Sequence, residues 1–522
     1  MSRPWWQDAA FYQIYPRSFL DTNGDGVGDL EGIRRRLPYL ARLGVDALWL
    51  SPFYRSPMLD FGYDVSDYCD VDPLFGTLED ARRLVAEAHE LGLRLIVDFV
   101  PNHSSSEHPW FVDARASRTA KHRDWYIWRD PVGPVGPDGD PGPPPNNWVA
   151  AFTHESAWTW EPDTGQWYLH LFLPQQPDLN WANPEVVEAM HDALRFWMDL
   201  GVDGFRIDVV HGLGKDPALP DDPPEAAGIP HSGLNNEPST HPILRDLRRL
   251  ADSYPGDRVL VGEVFLLSTA LVARYYGHGD ELHMAFNFPP LFAPWRDDAW
   301  RKRIDRTREE LDPLDAWPSW VLSNHDTPRH RTRYGDDARA RAAALVLLGL
   351  RGTPFMYAGE ELGLPDAVIP PDRVVDPGGR DGCRAPIPWD ATAAHGWPTV
   401  DAWLPWPPDA DRLNAAAQED DPTSFLHLYR RALAARKASG ALRGGDFAWV
   451  ASPSGVLAWE RTADGHRPVR VYVNYSEHPA TLNARGWETL VSSATPGTGL
   501  FGGELRPLEA VWLAAVASGR DG

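Results

Sequence analysis

Only two cysteines, Cys69 and Cys383, occur in 522 residues, too few for a disulfide framework or a cysteine-based metal site. Both are expected to be reduced thiols. Long apolar runs are missing too: nothing approaches the ~18 consecutive apolar residues of a membrane span, and the longest stretch lies around Ala342 to Leu350. The opening Met-Ser-Arg-Pro-Trp-Trp-Gln-Asp has no apolar segment behind a basic end, so no secretory signal is read there and a cytoplasmic protein is expected. Basic residues are in deficit, 50 Lys and Arg against 74 Asp and Glu, for a formal charge of −24. Such a chain repels nucleic acid and anionic membranes, and neither is expected as a partner.

What is present points to a large soluble protein. The length exceeds one ordinary core but suits a barrel of ~250 residues or more with smaller additions, hence two or three domains. The 24 Trp and 16 Tyr residues are abundant. Most should fill the core, but flat aromatic faces also suit the C–H faces of sugars, and a neutral substrate fits the charge.

Short apolar runs rich in β-branched and aromatic residues alternate with amphipathic helical stretches, the pattern of a parallel α/β architecture. The runs are Ala10–Tyr15, Asp46–Ser51, Arg94–Val100, Gly204–Val209, Val259–Val264, Leu282–Phe288, Trp320–Ser323 and Pro354–Tyr357. Eight runs predict a (β/α)8 TIM barrel, with helices at Leu30–Leu43, Leu78–Leu91, Pro184–Leu200 and Pro242–Ala251 between them. Residues 104–179, with a Pro/Gly-rich stretch at 130–148, are too long for a loop and read as an inserted subdomain after the third strand. Residues 212–241 and 364–400 read as long loops after the fourth and eighth strands. After a helix at Thr423–Lys437, runs at Phe447–Val450, Val456–Arg461, Val469–Asn474 and Glu504–Leu513 predict an antiparallel C-terminal β domain. The expected division is barrel 1–103, insert 104–179, barrel 180–440 and C-terminal domain 441–522.

In such a barrel, chemistry sits at the C-terminal ends of the strands. Five runs end in polar residues: Asp-Phe-Val-Pro-Asn-His (98–103), Gly-Phe-Arg-Ile-Asp-Val (204–209), Gly-Glu-Val-Phe (262–265), Ser-Asn-His-Asp-Thr-Pro-Arg (323–329) and Ala-Gly-Glu-Glu (358–361). One acidic residue at a strand end is ordinarily a helix cap or a solvated loop residue. Asp208, Glu263 and Asp326 on strands four, five and seven, with Arg206 and His325 beside them, form a set that stability alone does not require.

These motifs, with Gln-Pro-Asp-Leu-Asn-Trp (176–181), Ala47–Tyr54 and Gly352–Gly363, resemble glycoside hydrolase family 13, the α-amylase family, over nearly the full length. The closer likeness is to its α-glucosidase and oligo-1,6-glucosidase branch. The resemblance implies a retaining mechanism in which Asp208 attacks the anomeric carbon and Glu263 serves as acid/base, the two carboxyls lying ~5 Å apart. It gives Asp326 the 2- and 3-hydroxyls of the sugar, and His103 and His325 other hydroxyls. Arg206, two residues before Asp208 on one face of a strand, is expected to lower the Asp208 pKa, while Asp208 and Asp326 raise that of Glu263.

By the same resemblance, Tyr63 stacks on the terminal glucose and Asp60 binds its 4- and 6-hydroxyls. Arg384 is expected to pair with Asp60 across the pocket and close it beyond one sugar, as in exo-acting members. The stretch 21–29, Asp-Thr-Asn-Gly-Asp-Gly-Val-Gly-Asp, carries oxygen donors at alternate positions as calcium loops do, but its twelfth position is Gly32 and not the glutamate of an EF-hand. The family uses this loop for a structural metal, implying Asp21, Asn23, Asp25, the Val27 carbonyl and Asp29 as ligands to calcium, with magnesium or an unfilled polar turn as alternatives. No organic cofactor is expected.

The implied activity is that of an exo-acting α-glucosidase releasing α-glucose from short malto-oligosaccharides or related disaccharides, as a monomer or small homo-oligomer. Val209 after the nucleophile resembles α-1,6-cleaving members, whereas His211-Gly-Leu-Gly departs from their pattern, so an oligo-1,6-glucosidase is the second reading. A transglycosylating or sucrose-isomerising relative shares the same intermediate. An inactive binding subunit would have lost its carboxylates, and these are all present.

Overall fold

The computed structural model describes residues 3–136, 138–376 and 378–516. Eight short parallel strands form one sheet: β1 (Phe11–Ile14), β2 (Ala47–Leu50), β3 (Arg94–Phe99), β4 (Gly204–Ile207), β5 (Val259–Gly262), β6 (Met284–Ala285), β7 (Ser319–Val321) and β8 (Thr353–Tyr357). They pair in the order β6-β5-β4-β3-β2-β1-β8-β7. Across the remaining seam, the Ser319 hydroxyl on β7 donates to the Ala285 carbonyl on β6 at 2.8 Å. The sheet is a nearly closed TIM barrel. Its strands are buried on both faces, which is why they read as continuous apolar runs and not as alternating ones.

The sixth run differs from expectation. Only Met284 and Ala285 are strand, because Pro289 and Pro290 have no N–H for a ladder and Phe288–Leu291 turns into a short helix. Gly204, the first residue of β4, has φ +151°, and a Cβ there would meet the Val259 carbonyl oxygen at 2.1 Å. Only glycine lets β4 and β5 approach so closely.

The barrel interior is solid. Phe11, Trp49, Ile96, Val261, Phe286 and Phe355 interdigitate there, with Phe11 stacked on Phe355 at 4.6 Å and Trp49 against Phe286 at 5.2 Å. Outer helices form where caps allow. Helix α1 (Leu30–Leu43) starts at Asp29, whose carboxylate accepts from the Gly32 amide, and stops at Gly44 in the left-handed region. Thr77 and Asp80 make a capping box for α2 (Leu78–Glu90), and Asn183 with Pro184 starts α3 (Pro184–Leu200).

The insert after β3 carries a three-stranded sheet, with Gln166–Leu169 between Trp128–Arg129 and Trp158–Glu161. Its small core of Trp148, Trp158, Leu169 and Leu171 also takes in Leu219 and Leu234 from the loop after β4. The two insertions therefore build one wall over the C-terminal face of the barrel.

The C-terminal domain is an antiparallel sheet of β9 (Asp446–Trp449), β10 (Val456–Thr462), β11 (Val469–Asn474), β12 (Trp487–Ser492) and β13 (Ala510–Ala515), ordered β9-β10-β11-β13-β12. Strand β12 was not among the expected runs, and the expected Glu504–Leu513 divides into Glu504–Leu505 and β13. Of the expected domain 441–522, residues 517–522 lie outside the described residues. Indole N–H groups of Trp459 and Trp512 donate to the Gly349 and Leu345 carbonyls at 3.1 Å, fastening this sheet to the barrel. Both cysteines are free, and no helix among the described residues is long and apolar enough to cross a membrane.

Candidate active site

A cavity of about 570 Å³ opens between the C-terminal ends of the strands and the wall of the two insertions. Asp60, Tyr63, His103, Asp208, Glu263, Asp326 and Arg380 line its polar end. Three expected site residues, Arg206, His325 and Arg384, lie just behind that surface, each at most 2% exposed.

Arg206 organises the centre. Its Nη1 donates to Asp208 at 2.5 Å and to Asp98 at 3.0 Å, while Nη2 reaches Glu263 at 2.8 Å, and the guanidinium lies over the Trp49 ring at 5.4 Å. The core tryptophan thus supports the cation that gathers three carboxylates. The expectation that Arg206 holds Asp208 below the usual carboxylate range is not met. Burial pushes the Asp208 carboxyl well up, and the anions of Glu263 and Asp98 push the same way against Arg206, whose single charge is shared three ways. Asp98 is likewise raised, to about 7, by burial above all, although Arg206 and the Tyr63 hydroxyl, which donates to it at 2.9 Å, pull it down.

The turn after the nucleophile position is strained. Val209, β-branched, sits at φ 44° and ψ 46°, and its amide donates to Glu263 Oε2 at 3.2 Å. That contact ties the end of β4 to the carboxylate at the end of β5.

Asp326 has a different environment. Arg380 and Arg384 donate to its Oδ1 at 3.1 and 2.9 Å, and His325 lies 3.2 Å from Oδ2. Burial alone would raise this carboxyl, but His325 and the arginines hold it below its ordinary range. His325 itself is pushed down to about 3 by burial and is a neutral ring. The Gln13 amide donates to its Nδ1 at 2.7 Å, its Nε2 faces the Tyr63 hydroxyl at 2.6 Å, and the Tyr63 ring stacks on it at 5.5 Å. His103 is held by Asn102 on one side and faces the Tyr63 carbonyl on the other, at 3.2 Å each.

The inner end is closed by Asp60, which accepts from Arg380 Nη2 at 2.8 Å and from Gln176 at 3.0 Å. Arg384 does not reach Asp60, contrary to expectation. Its Nε donates to the His325 carbonyl at 2.8 Å, its Nη1 lies 3.6 Å from Asp376, and it packs over Tyr15. The two arginines are four residues apart on one tight turn, and the outer one faces the cavity.

A family model described as the α-amylase catalytic domain matches residues 13–445. The chain belongs to the α-amylase family. It is a glycoside hydrolase of that family and is 43% identical to a probable α-glucosidase of Rhizobium meliloti, covering 92% of this chain and 91% of the relative. It is 36% identical to the oligo-1,6-glucosidase of Parageobacillus thermoglucosidasius over 91% of both chains. Among solved structures, the α-glucosyl transfer enzyme XgtA superposes with a TM-score of 0.89 at 41% identity, covering 98% of this chain and all of that one. The trehalulose synthase MutB of Pseudomonas mesoacidophila gives 0.89 at 36% with the same coverage.

Against this family pattern, three site residues had gone unassigned in the sequence. Asp98 heads the 98–103 motif and Gln176 opens the 176–181 motif, both segments that carry the family likeness, while Arg380 lies four residues before Arg384; position within the segment, and not its presence, is what the sequence withholds.

The loop 21–29 curls through Gly24 and Gly26, both at positive φ, and its carboxylates accept the loop's own amides. Asp21 takes those of Asn23, Gly24 and Gly26, Asp25 that of Val27, and Asp29 those of Thr22 and Gly32. Among the described residues no group of three His, Cys, Asp or Glu side chains gathers at metal-ligating spacing. The donor set still fits a hard cation on charge. Asp21 and Asp29 are buried, burial and then the nearby Asp21 push Asp29 upward against its hydrogen bonds, and among the described residues no basic side chain pairs with either.

Proposed function

We propose that this protein is an exo-acting, retaining α-glucosidase. Asp208 attacks the anomeric carbon of a terminal α-glucosyl unit while Glu263 protonates the departing glycosidic oxygen; water, deprotonated by Glu263, then releases α-glucose from the glucosyl–Asp208 ester. The observation that carries this reading is the shared guanidinium. Adjacent nitrogens of Arg206 bind Asp208 and Glu263, which supports the short spacing that a retaining pair needs, ~5 Å, over the wider one that leaves room for water in an inverting enzyme.

Asp326, kept ionised by two arginines, has the charge to stabilise an oxocarbenium-like transition state. Tyr63 and His103 face the sugar. Asp60 and Arg380 close the cavity behind it, so a single glucosyl unit is taken from the non-reducing end and the rest of the substrate projects through the mouth. Linkage is assigned to short α-glucosides generally, with isomaltose-type substrates as the second reading on the strength of Val209.

The loop residues Asp21, Asn23, Asp25, Val27 through its carbonyl, and Asp29 would hold a structural calcium ion, magnesium being the alternative. Bound there, the ion would neutralise buried carboxylates far from the reacting atoms. A cytoplasmic location remains part of this proposal.

Time-resolved NMR of the products from maltose, isomaltose, sucrose and starch tests the reading. It requires α-glucose as the first product and starch as the poorest substrate. β-Glucose as the first anomer released from sucrose, whose departing group is fructose, or internal oligosaccharides from starch, would overturn it.

A further inference from the structure

The insert holds a second cavity, of about 550 Å³, that shares no lining residue with the reacting one. It lies where the strand Trp128–Arg129 meets the loop after β4. In a chain with a formal charge of −24, cations dominate its wall: Arg118, Arg123, Arg129 and Lys215 line it against Asp124 and Asp216. Both carboxylates are partly or fully exposed, where water screens them. Arg118 pairs with Asp130 at 3.0 Å and Lys215 with Asp178 at 2.9 Å. Arg123 and Arg129 have no carboxylate partner among the described residues. Glu161, whose charge reaches Arg123, is itself bound by Arg115 at 2.7 Å.

Neutral acceptors take the place of counter-ions. Arg123 is only 5% exposed; its Nη1 donates to the Ala114 carbonyl at 2.7 Å and its Nη2 to the Gln166 amide oxygen at 2.6 Å, while its Nε has no partner among the described residues. Arg129, half-buried, donates to the Trp128 and Pro217 carbonyls at 2.9 Å each. Carbonyls satisfy N–H groups without cancelling charge, and sequestering a cation without a counter-charge is costly. Burial accordingly pushes both guanidiniums below their ordinary range, Arg123 to about 10 with Arg118 pushing the same way. The Trp128 ring lies 3.4 Å from the Arg123 guanidinium and fixes its plane.

We infer that this cavity is a binding site for a phosphate group, either the free ion or the headgroup of a small organic monoester. Two guanidiniums without counter-charge match a phosphate dianion better than a single carboxylate, and their planar forks suit its oxygens. The volume exceeds what the ion alone needs and is that of a small-ligand site, with Tyr126 and Ile127 beside the arginines to carry an organic body. The inference is independent of the proposed glucosidase activity.

Isothermal titration calorimetry of the full chain tests it, with ionic strength held constant by sodium chloride, inorganic phosphate and glycerol 3-phosphate as probes, and glycerol as the uncharged control. The expected result is one saturable site per chain with a Kd of about 1 mM or tighter for at least one phosphate probe, and none for glycerol. Tighter binding of glycerol 3-phosphate would assign the monoester and tighter binding of inorganic phosphate the free ion; either supports the site. Arg129→Gln should weaken binding about tenfold, and Arg129→Lys, which keeps the charge, by less. Lys302→Gln, which removes an exposed positive charge outside the cavity, should leave it unmoved. No saturable uptake of either phosphate probe by the unaltered protein, or undiminished binding in folded Arg129→Gln, would overturn the inference.

Discussion

Strand β4 carries an aspartate beyond each of its ends, and the two live in opposite electrostatic worlds. Asp203, at the N-terminal side, is fully buried but accepts from Arg94 at 2.8 Å, His89 at 2.7 Å, Arg258 at 3.3 Å and the Leu95 amide at 2.9 Å. Burial would raise it, yet these partners hold it below the ordinary carboxylate range. Asp208, at the C-terminal side, shares one arginine with Asp98 and Glu263 and is driven well above that range. The four residues of one strand separate an anion satisfied to excess from one starved of cations. The first arrangement fits a stabilising role, and the second leaves a carboxylate poorly stabilised and poised to react, as expected of the two faces of a barrel.

The largest effect that would sharpen this contrast is loss of activity in Asp208→Asn, by about 10⁴-fold or more on every α-glucoside, measured as kcat/KM. The same variant should melt no lower than the unaltered protein, because it relieves repulsion among three carboxylates. Asp203→Asn should do the reverse. It should retain kcat per folded molecule while losing about 2 kcal/mol of stability in denaturant unfolding, a buried-pair value discounted for the half-exposed Arg94 and His89.

Next in size is the pair of arginines. Arg380→Ala should lower kcat/KM on maltose by about 30-fold, mainly through KM, and should also lower the melting temperature, because it strips buried Asp60 and Asp376 of their guanidinium. Arg384→Ala leaves Asp326 and Asp376 with a lost buried partner and should cost stability first.

The pH dependence of stability supplies a smaller but signed test. The folded pKa of Asp203 is depressed, so its contribution is present above the unfolded value of about 3.9 and is lost as pH falls through the folded value. The melting deficit of Asp203→Asn should therefore persist at neutral pH and shrink only below about pH 4. The folded pKa of Asp208 is raised, so ionising it costs stability as pH rises. Any melting advantage of Asp208→Asn should grow as pH rises above the unfolded value of about 3.9, and the acid limb of kcat/KM should lie above the ordinary carboxylate range. Smallest is the effect of a chelator, which should lower the melting temperature by a few degrees through the 21–29 loop and leave kcat on maltose unchanged.

Much of this contrast was legible in the chain itself. Helices α1 and α3 have the bounds that Asp29, Gly44, Asn183 and Gly201 dictate as caps, and the eight runs fall on the eight strands. Asp208, Glu263 and Asp326 were readable from their strand-end positions, which topology converts into one cavity. What escaped depended on three-dimensional detail. Strand β12 shows mostly half-buried residues and so lacks the alternation that marks a strand. Which of Arg380 and Arg384 faces Asp60 is set by the fold of a single turn. The raised pKa of Asp208 runs against expectation because adjacency to Arg206 is visible in sequence, whereas burial and the sharing of that arginine with Asp98 and Glu263 are not.

The central claim is that Asp208, paired with Glu263 across Arg206, becomes covalently glucosylated. Mass spectrometry of peptides from protein quenched after reaction with a slow fluorinated α-glucosyl fluoride measures this directly. A fluoroglucosyl-mass increment on the peptide containing Asp208, absent in Asp208→Asn, is the expected result; an increment on another residue, or turnover without any trapped ester, would contradict it.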